Sequence, residues 1–132
     1  MSKILTARFS KFDQYSNPVF ITTPGHPEET DSYNILKKYH QKLVDKEYDT
    51  FLPIYHSEEY EYSTIRLKKS LNPIPGTKNL KPGNVYEIRY NIKTVAKNSK
   101  IYVNCFLEKC RLIKKAPVVD EGEELDLDLD DP

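Results

Sequence analysis

The last fifty residues, Gly83 to Pro132, constrain this chain more than any other stretch, because they join two parts of opposite character. Gly83 to Lys115 reads as a β-hairpin rich in tyrosine, lysine and arginine. Asp120 to Pro132 (DEGEELDLDLDDP) holds eight carboxylates and neither lysine nor arginine. A basic folded surface joined to an acidic strand points to a chain that binds a polyanion and carries its own competitor for it.

Bulk charge conceals this division. The 132 residues have 20 Lys+Arg against 20 Asp+Glu, a formal net of zero. Residues 1–119 alone keep 20 basic side chains against 12 acidic ones, a net of +8. Residues 62–119 hold 13 basic and two acidic side chains (Glu87 and Glu108), a net of +11, whereas residues 28–61 carry a net of −5. The basic field therefore belongs to the C-terminal half of the folded part.

A chain of this length makes one domain able to bury a modest core without metal or disulfide. No apolar run approaches 18 residues and no signal-peptide pattern occurs, so neither a membrane span nor export is expected. Cys105 and Cys110, five residues apart on an extended segment, should face opposite sides. That argues against a shared disulfide or metal and for inert thiols in a reducing, intracellular compartment.

Ten tyrosines and five phenylalanines beside only four glycines favour strands. In Lys3 to Phe12, Leu5, Ala7 and Phe9 alternate with polar residues, the period of a half-buried strand. Val19 to Thr23 is a second short β-branched run between Ser16-Asn17-Pro18 and Pro24-Gly25. Pro27 to Asp31 reads as a helix start capped by Thr30 or Asp31, followed by one amphipathic helix over about 31–46 with Ile35, Leu36, Tyr39 and Leu43 inward. Phe51 to His56, interrupted by Pro53, is an edge strand or a loop. Glu58 to Lys69 is a strand with Ser63, Ile65 and Leu67 on its core face, and Leu71 to Pro82, with its prolines, is a loop.

The final hairpin has Tyr86, Ile88, Tyr90 and Ile92 on one face of its first strand and turns at Ala96 to Ser99. Its second strand, Lys100 to Ile113, places Ile101, Val103, Cys105 and Leu107 together, and a change of parity near Glu108 predicts a bulge there. The tally is about five strands and one helix, a small β-barrel or sandwich. The five-stranded oligonucleotide-binding (OB) Greek-key barrel fits that count.

Sequence-indifferent binding of a single strand needs aromatic platforms flanked by cations. The outward residues Tyr60, Tyr62, Arg66 and Lys68 meet that need, with Tyr102 and Phe106 as a second aromatic set. Arg89, Lys93, Lys97 and Lys100 surround the hairpin and can track phosphates. Tyr86 and Tyr90 share a face with isoleucines and read as core. In the tail, Asp120, Glu121, Glu123, Glu124, Asp126, Asp128, Asp130 and Asp131 alternate with Leu125, Leu127 and Leu129, so disorder and partner binding are expected. His26, His40 and His56 are dispersed, and Glu58, Glu59 and Glu61 with Asp49 read as surface acids before they read as a nuclease's metal site. No phosphate-binding glycine loop or nucleophile motif occurs, and neither catalysis nor a cofactor is expected.

The run Val85-Tyr86-Glu87-Ile88-Arg89-Tyr90, a lysine-bearing turn, the strand Ile101 to Ile113 and the acidic C-terminus together resemble the replicative single-stranded DNA-binding proteins of phages and other DNA viruses, the podophage type with an acidic tail. Lys3-Ile4-Leu5-Thr6, the helix and the strand Tyr60 to Lys68 fall in similar order. The resemblance implies an OB barrel at 1–117, a disordered tail at 118–132, and single-stranded DNA bound during replication and recombination. It further implies that the tail contacts a polymerase, helicase or primase in an infected host cell (cytoplasm or nucleus), that a homodimer is compatible, and that Lys3 is a phosphate contact. Two departures accompany it: the tail ends Leu129-Asp130-Asp131-Pro132 without an aromatic residue, and Thr94 to Lys97 at the hairpin turn carries no ring. Two other readings remain at this point, a barrel-like adaptor whose acidic tail binds a basic protein and a small metal-dependent nuclease.

Overall fold

The computed structural model describes residues 2–46, 48, 52–68 and 80–117. Residues 71–79 of the loop expected at 71–82, and the acidic tail at 118–132, lie outside them. Among the described residues six strands and one α-helix follow in order: β1 (Lys3–Phe12), β2 (Pro18–Thr22), α1 (Thr30–Asp45), β3 (Ile54–Ser57), β4 (Tyr62–Arg66), β5 (Val85–Lys97) and β6 (Lys100–Lys114). All pair antiparallel in one sheet of order β3-β4-β2-β1-β5-β6. The sheet curls until the chain beyond β4 meets β6: Lys68 N–H donates to the Cys105 carbonyl at 2.8 Å and Leu107 N–H to the Lys68 carbonyl at 2.9 Å. This parallel bridge between Lys68 and Phe106 joins β4, β2, β1, β5 and β6 into the five-stranded Greek-key wall of an OB fold, with β3 added outside β4.

Period-two alternation builds the interior. Leu5, Ala7 and Phe9 of β1 are buried, as are Phe20 of β2, Ile54 of β3, Ile65 of β4, and Tyr86, Ile88 and Tyr90 of β5. The rings of Phe9, Phe20 and Tyr86 meet edge-on at centroid distances of 5.6 and 6.0 Å, an arrangement that favours their quadrupoles. Leu36 and Leu43 bring α1 into this core, whereas Ile35, expected beside them, is exposed because the inward stripe runs through Ser32, Leu36 and Leu43 with a half-buried Tyr39. The helix opens through a 3-10 turn at Pro27–Glu29 and not through a Thr30 or Asp31 cap. Glu29 is fully buried there, bonded to Arg8 Nε at 2.6 Å and to Thr23 N–H at 3.0 Å. Such a pair ties helix entry to β1 and is costly to break on one side.

Three expectations are corrected. The strand expected from Glu58 begins only at Tyr62, because Glu58 to Glu61 form the β3–β4 turn, with Glu61 at φ 52° and Tyr60 N–H bonded to Ser57 Oγ. The last hairpin turns at two residues, Asn98 and Ser99 with φ of 52° and 64°, so Thr94 to Lys97 are strand and not turn. Positive φ at both central positions gives the turn hand that matches strand twist. Cys105 and Cys110 face the same core: the expected bulge does form at Glu108, where Tyr90 opposes Leu107 and Arg89 opposes Lys109, and the extra residue restores their parity. Both thiols are free, and burial pushes Cys105 up to about 12 and Cys110 to about 11.

Candidate nucleic-acid interface

A groove opens on the outer face of β2 and β4. One wall is the end of β1, with Lys11 and Phe12, and the turn after it, with Tyr15, and the other comes from Tyr55 of β3 and Asn104 of β6. Arg66, Lys68, Thr64 and Val19 form its floor. Counted around the barrel wall, β2 and β4 are the second and third strands, the β1–β2 turn joins the first two, and the β5–β6 hairpin joins the last two. In OB folds this face and these two connections are where oligonucleotides bind.

The β1–β2 turn is held by Asp13, whose Oδ1 accepts N–H bonds from Tyr15 at 2.8 Å and Asn17 at 2.9 Å. Withdrawal from water opposes charge on this carboxyl, but the donors of Asn17 and Tyr15, with Arg66 nearby, hold it below its ordinary value. The turn presents Tyr15 to solvent, 75% exposed. Across the groove the rings of Tyr55 and Tyr62 lie 6.0 Å apart, and Tyr55 also meets His40 of α1 at 5.4 Å. Desolvation, then the neighbouring His56, lowers the pKa of His40.

Of the residues expected from the sequence, Arg66 and Lys68 line the groove and Tyr62 stands beside its Tyr55 wall. Phe106 is bridged to Lys68, and Lys93 lies over its ring at 5.7 Å. Tyr102 is on β6 opposite Val95, two residues from Asn104 and on the same face. Lys97 and Lys100 oppose each other at the closing pair of the hairpin, whose residues 95–101 are exposed on both faces, so the hairpin projects as a basic arm. These five lie on the β5–β6 hairpin without lining the groove, and the remaining three do not line it either. Lys3 pairs with Tyr90 in the sheet and lies over the Tyr39 ring at 5.4 Å. Tyr60 projects from the acidic β3–β4 turn, and Arg89 lies in a row with Ile4 and Lys109 beyond Glu108.

Lys11, Phe12, Tyr15 and Tyr55 escaped sequence reasoning. The Asp13-to-Asn17 turn was a detectable signal, since an aromatic at the tip of an Asx-type turn is presented to solvent. Tyr55 was not detectable, because barrel closure decides what β3 faces. Among the described residues, the His/acid group close enough to hold a metal is His26, Glu28 and Glu29, but both Glu29 oxygens are taken by Arg8 and Thr23. Glu58 of the imagined nuclease site is paired with Lys37 at 3.1 Å and His56 at 3.0 Å, and Asp49 lies outside the described residues. No helix among the described residues is long and apolar enough to cross a membrane.

No protein-family profile matches this chain, and no curated protein matches it in sequence. Among solved structures, the fold is similar to that of gp2.5, a single-stranded DNA binding protein encoded by bacteriophage T7. The match has a TM-score of 0.50 at 10% sequence identity and covers 92% of this chain and 97% of that one. At that identity the likeness speaks to the fold.

Proposed function

We propose that this chain binds single-stranded DNA without regard to sequence and serves DNA replication and recombination as a coating protein, not as an enzyme. The observation that carries the reading is the groove itself. It lies on the oligonucleotide-binding face of the OB fold, with tyrosines 15, 55 and 62 beside Lys11, Arg66 and Lys68. Rings accept any base by stacking, and the cations take the phosphates, so the site needs no base-edge code. Lys93, Phe106 and Tyr102 continue the surface onto the basic arm that ends at Lys97 and Lys100. The fold shared with a phage single-stranded DNA binding protein supports the same assignment. In this reading the acidic residues 120–132 compete with DNA for the basic surface and contact replication proteins such as a polymerase, helicase or primase inside an infected cell.

The test is fluorescence anisotropy of a labelled oligothymidine against the full chain across a salt series. Binding should weaken as salt rises, and in a chain ending at residue 119 Arg66→Ala with Lys68→Ala should lower the slope of log K against log salt by about 1.4, at about 0.7 per phosphate contact on a single strand. Failure of the full chain to bind any oligothymidine at low salt would sink the proposal.

A further inference from the structure

The groove leaves two exposed surfaces of opposite charge unused. One is the β3–β4 turn, where Glu58, Glu59 and Glu61 surround Tyr60, a ring 72% exposed. The other is the outer face of β1, β5 and β6. There Ile4, Arg89 and Lys109 form one cross-strand row, with Ile4 52% exposed, and Arg111 follows in the next row, paired with Glu87 at 3.1 Å. This second surface is not an extension of the groove. Between it and Phe106 sits the Glu108 carboxylate, held below its ordinary pKa first by the Ser2 hydroxyl and then by Asn91, an anion that a phosphate chain would avoid.

We propose that copies of this chain on one DNA strand touch head to tail, with the acidic β3–β4 turn of one copy seated on the Ile4–Arg89–Lys109 face of the next. The proposal rests on the single-stranded DNA reading above. Charge complementarity selects the occupant: Glu59 and Glu61, beside a Glu58 already paired with Lys37 and His56, flank one ring and meet Arg89 and Lys109, which flank Ile4 beside an Arg111 already paired with Glu87. Tyrosine is a favoured interface anchor, and its ring face attracts a guanidinium or ammonium.

The turn cannot reach the face of its own molecule. β2, β1 and β5 lie between β4 and β6 in the sheet, and β4 approaches β6 only at its far end, through Lys68. The turn is also pinned, by Tyr60 N–H on Ser57 Oγ and by Glu58 on Lys37 and His56. It is thus presented already ordered, which lowers the entropy cost of docking. Because the two surfaces differ, the contact is heterologous and repeats without closing, the geometry that suits a linear lattice.

The experiment compares oligothymidines of about 12 and about 60 nucleotides, one and several sites at roughly the size an OB fold covers. The full chain should bind the long one with a sigmoidal isotherm and about tenfold tighter per site. Glu59→Lys with Glu61→Lys should abolish that excess while still binding the short oligonucleotide, and so should Lys109→Glu with Arg111→Glu. Both pairs in one chain should restore it, which a merely misfolded variant would not do. Equal per-site affinity on both lengths in the unaltered chain overturns the proposal, as does loss of the excess on deleting residues 120–132 but not on reversing the turn, which would make the tail the occupant. If the short oligonucleotide is not bound at all, the DNA reading fails separately. Sedimentation velocity of the protein alone then decides the contact: growth with concentration that the turn reversal removes supports it, and a strict monomer overturns it.

Discussion

At Tyr55 one ring serves three surfaces: it walls the groove, meets Tyr62 at 6.0 Å and leans on His40 at 5.4 Å. About half of the residue is exposed, so truncation removes little core. Tyr55→Ala should therefore weaken binding of a short oligothymidine by about 1–3 kcal/mol, roughly 5- to 150-fold, with the melting temperature nearly unchanged. Tyr60→Ala should leave that short-oligonucleotide affinity intact, since its ring stands among carboxylates. The buried thiols yield a pH prediction of definite sign. Burial raises Cys105 from 9.0 to about 12 and Cys110 to about 11, so the folded chain holds protons that the unfolded chain gives up. Their contribution is complete below pH 9 and is lost as pH climbs toward 12. Urea midpoints should fall across that window, and a Cys105→Ala, Cys110→Ala chain should show a flatter decline.

The hairpin arm depends on its two-residue turn. Ser99 sits at φ 64°, a conformation that costs a residue with a Cβ about 1 kcal/mol and glycine almost nothing. Ser99→Gly should slow amide exchange in residues 93–104 and raise the melting temperature by a few degrees, with DNA affinity no weaker. Element by element, the sequence was readable wherever one face of a strand met the core. The alternation in β1, the inward set of β5 and the bulge at Glu108 all stand in the structure as the pattern predicts. The cysteine faces failed for a local reason, since parity counted across a bulge reverses. The acidic Glu58–Glu61 turn failed because charge and tyrosine alternate there as they would in a strand. Of the groove, the floor residues Arg66 and Lys68 were legible, because outward alternation on β4 is local. Its walls were not: they are set by closure of β4 onto β6 and by what β3 faces after pairing, contacts between residues distant in sequence.

Over the whole molecule, charge is segregated in a way that net charge hides, and this fixes how salt and the tail should act together. Deleting residues 120–132 removes eight carboxylates and takes the formal charge from zero to +8. If the tail competes for the same cations as DNA, those cations are already neutralised in the full chain, and DNA binding exchanges one polyanion for another. Fewer counterions are then released, so the full chain should bind with a shallower dependence on salt than a chain without the tail. The truncated chain begins with its cations in contact with solvent counterions and releases them on binding, so its slope should be steeper by about 0.7 for each cation the tail had covered. At low salt it should bind oligothymidine about tenfold or more tightly than the full chain. With added salt the two curves should converge, because screening dismisses the tail before it dismisses DNA held by stacking. Parallel lines at equal affinity would remove the competition and leave the tail to partners alone. Parallel lines offset by a constant factor would mean that the tail acts through something other than charge, and its three leucines would then be the residues to substitute.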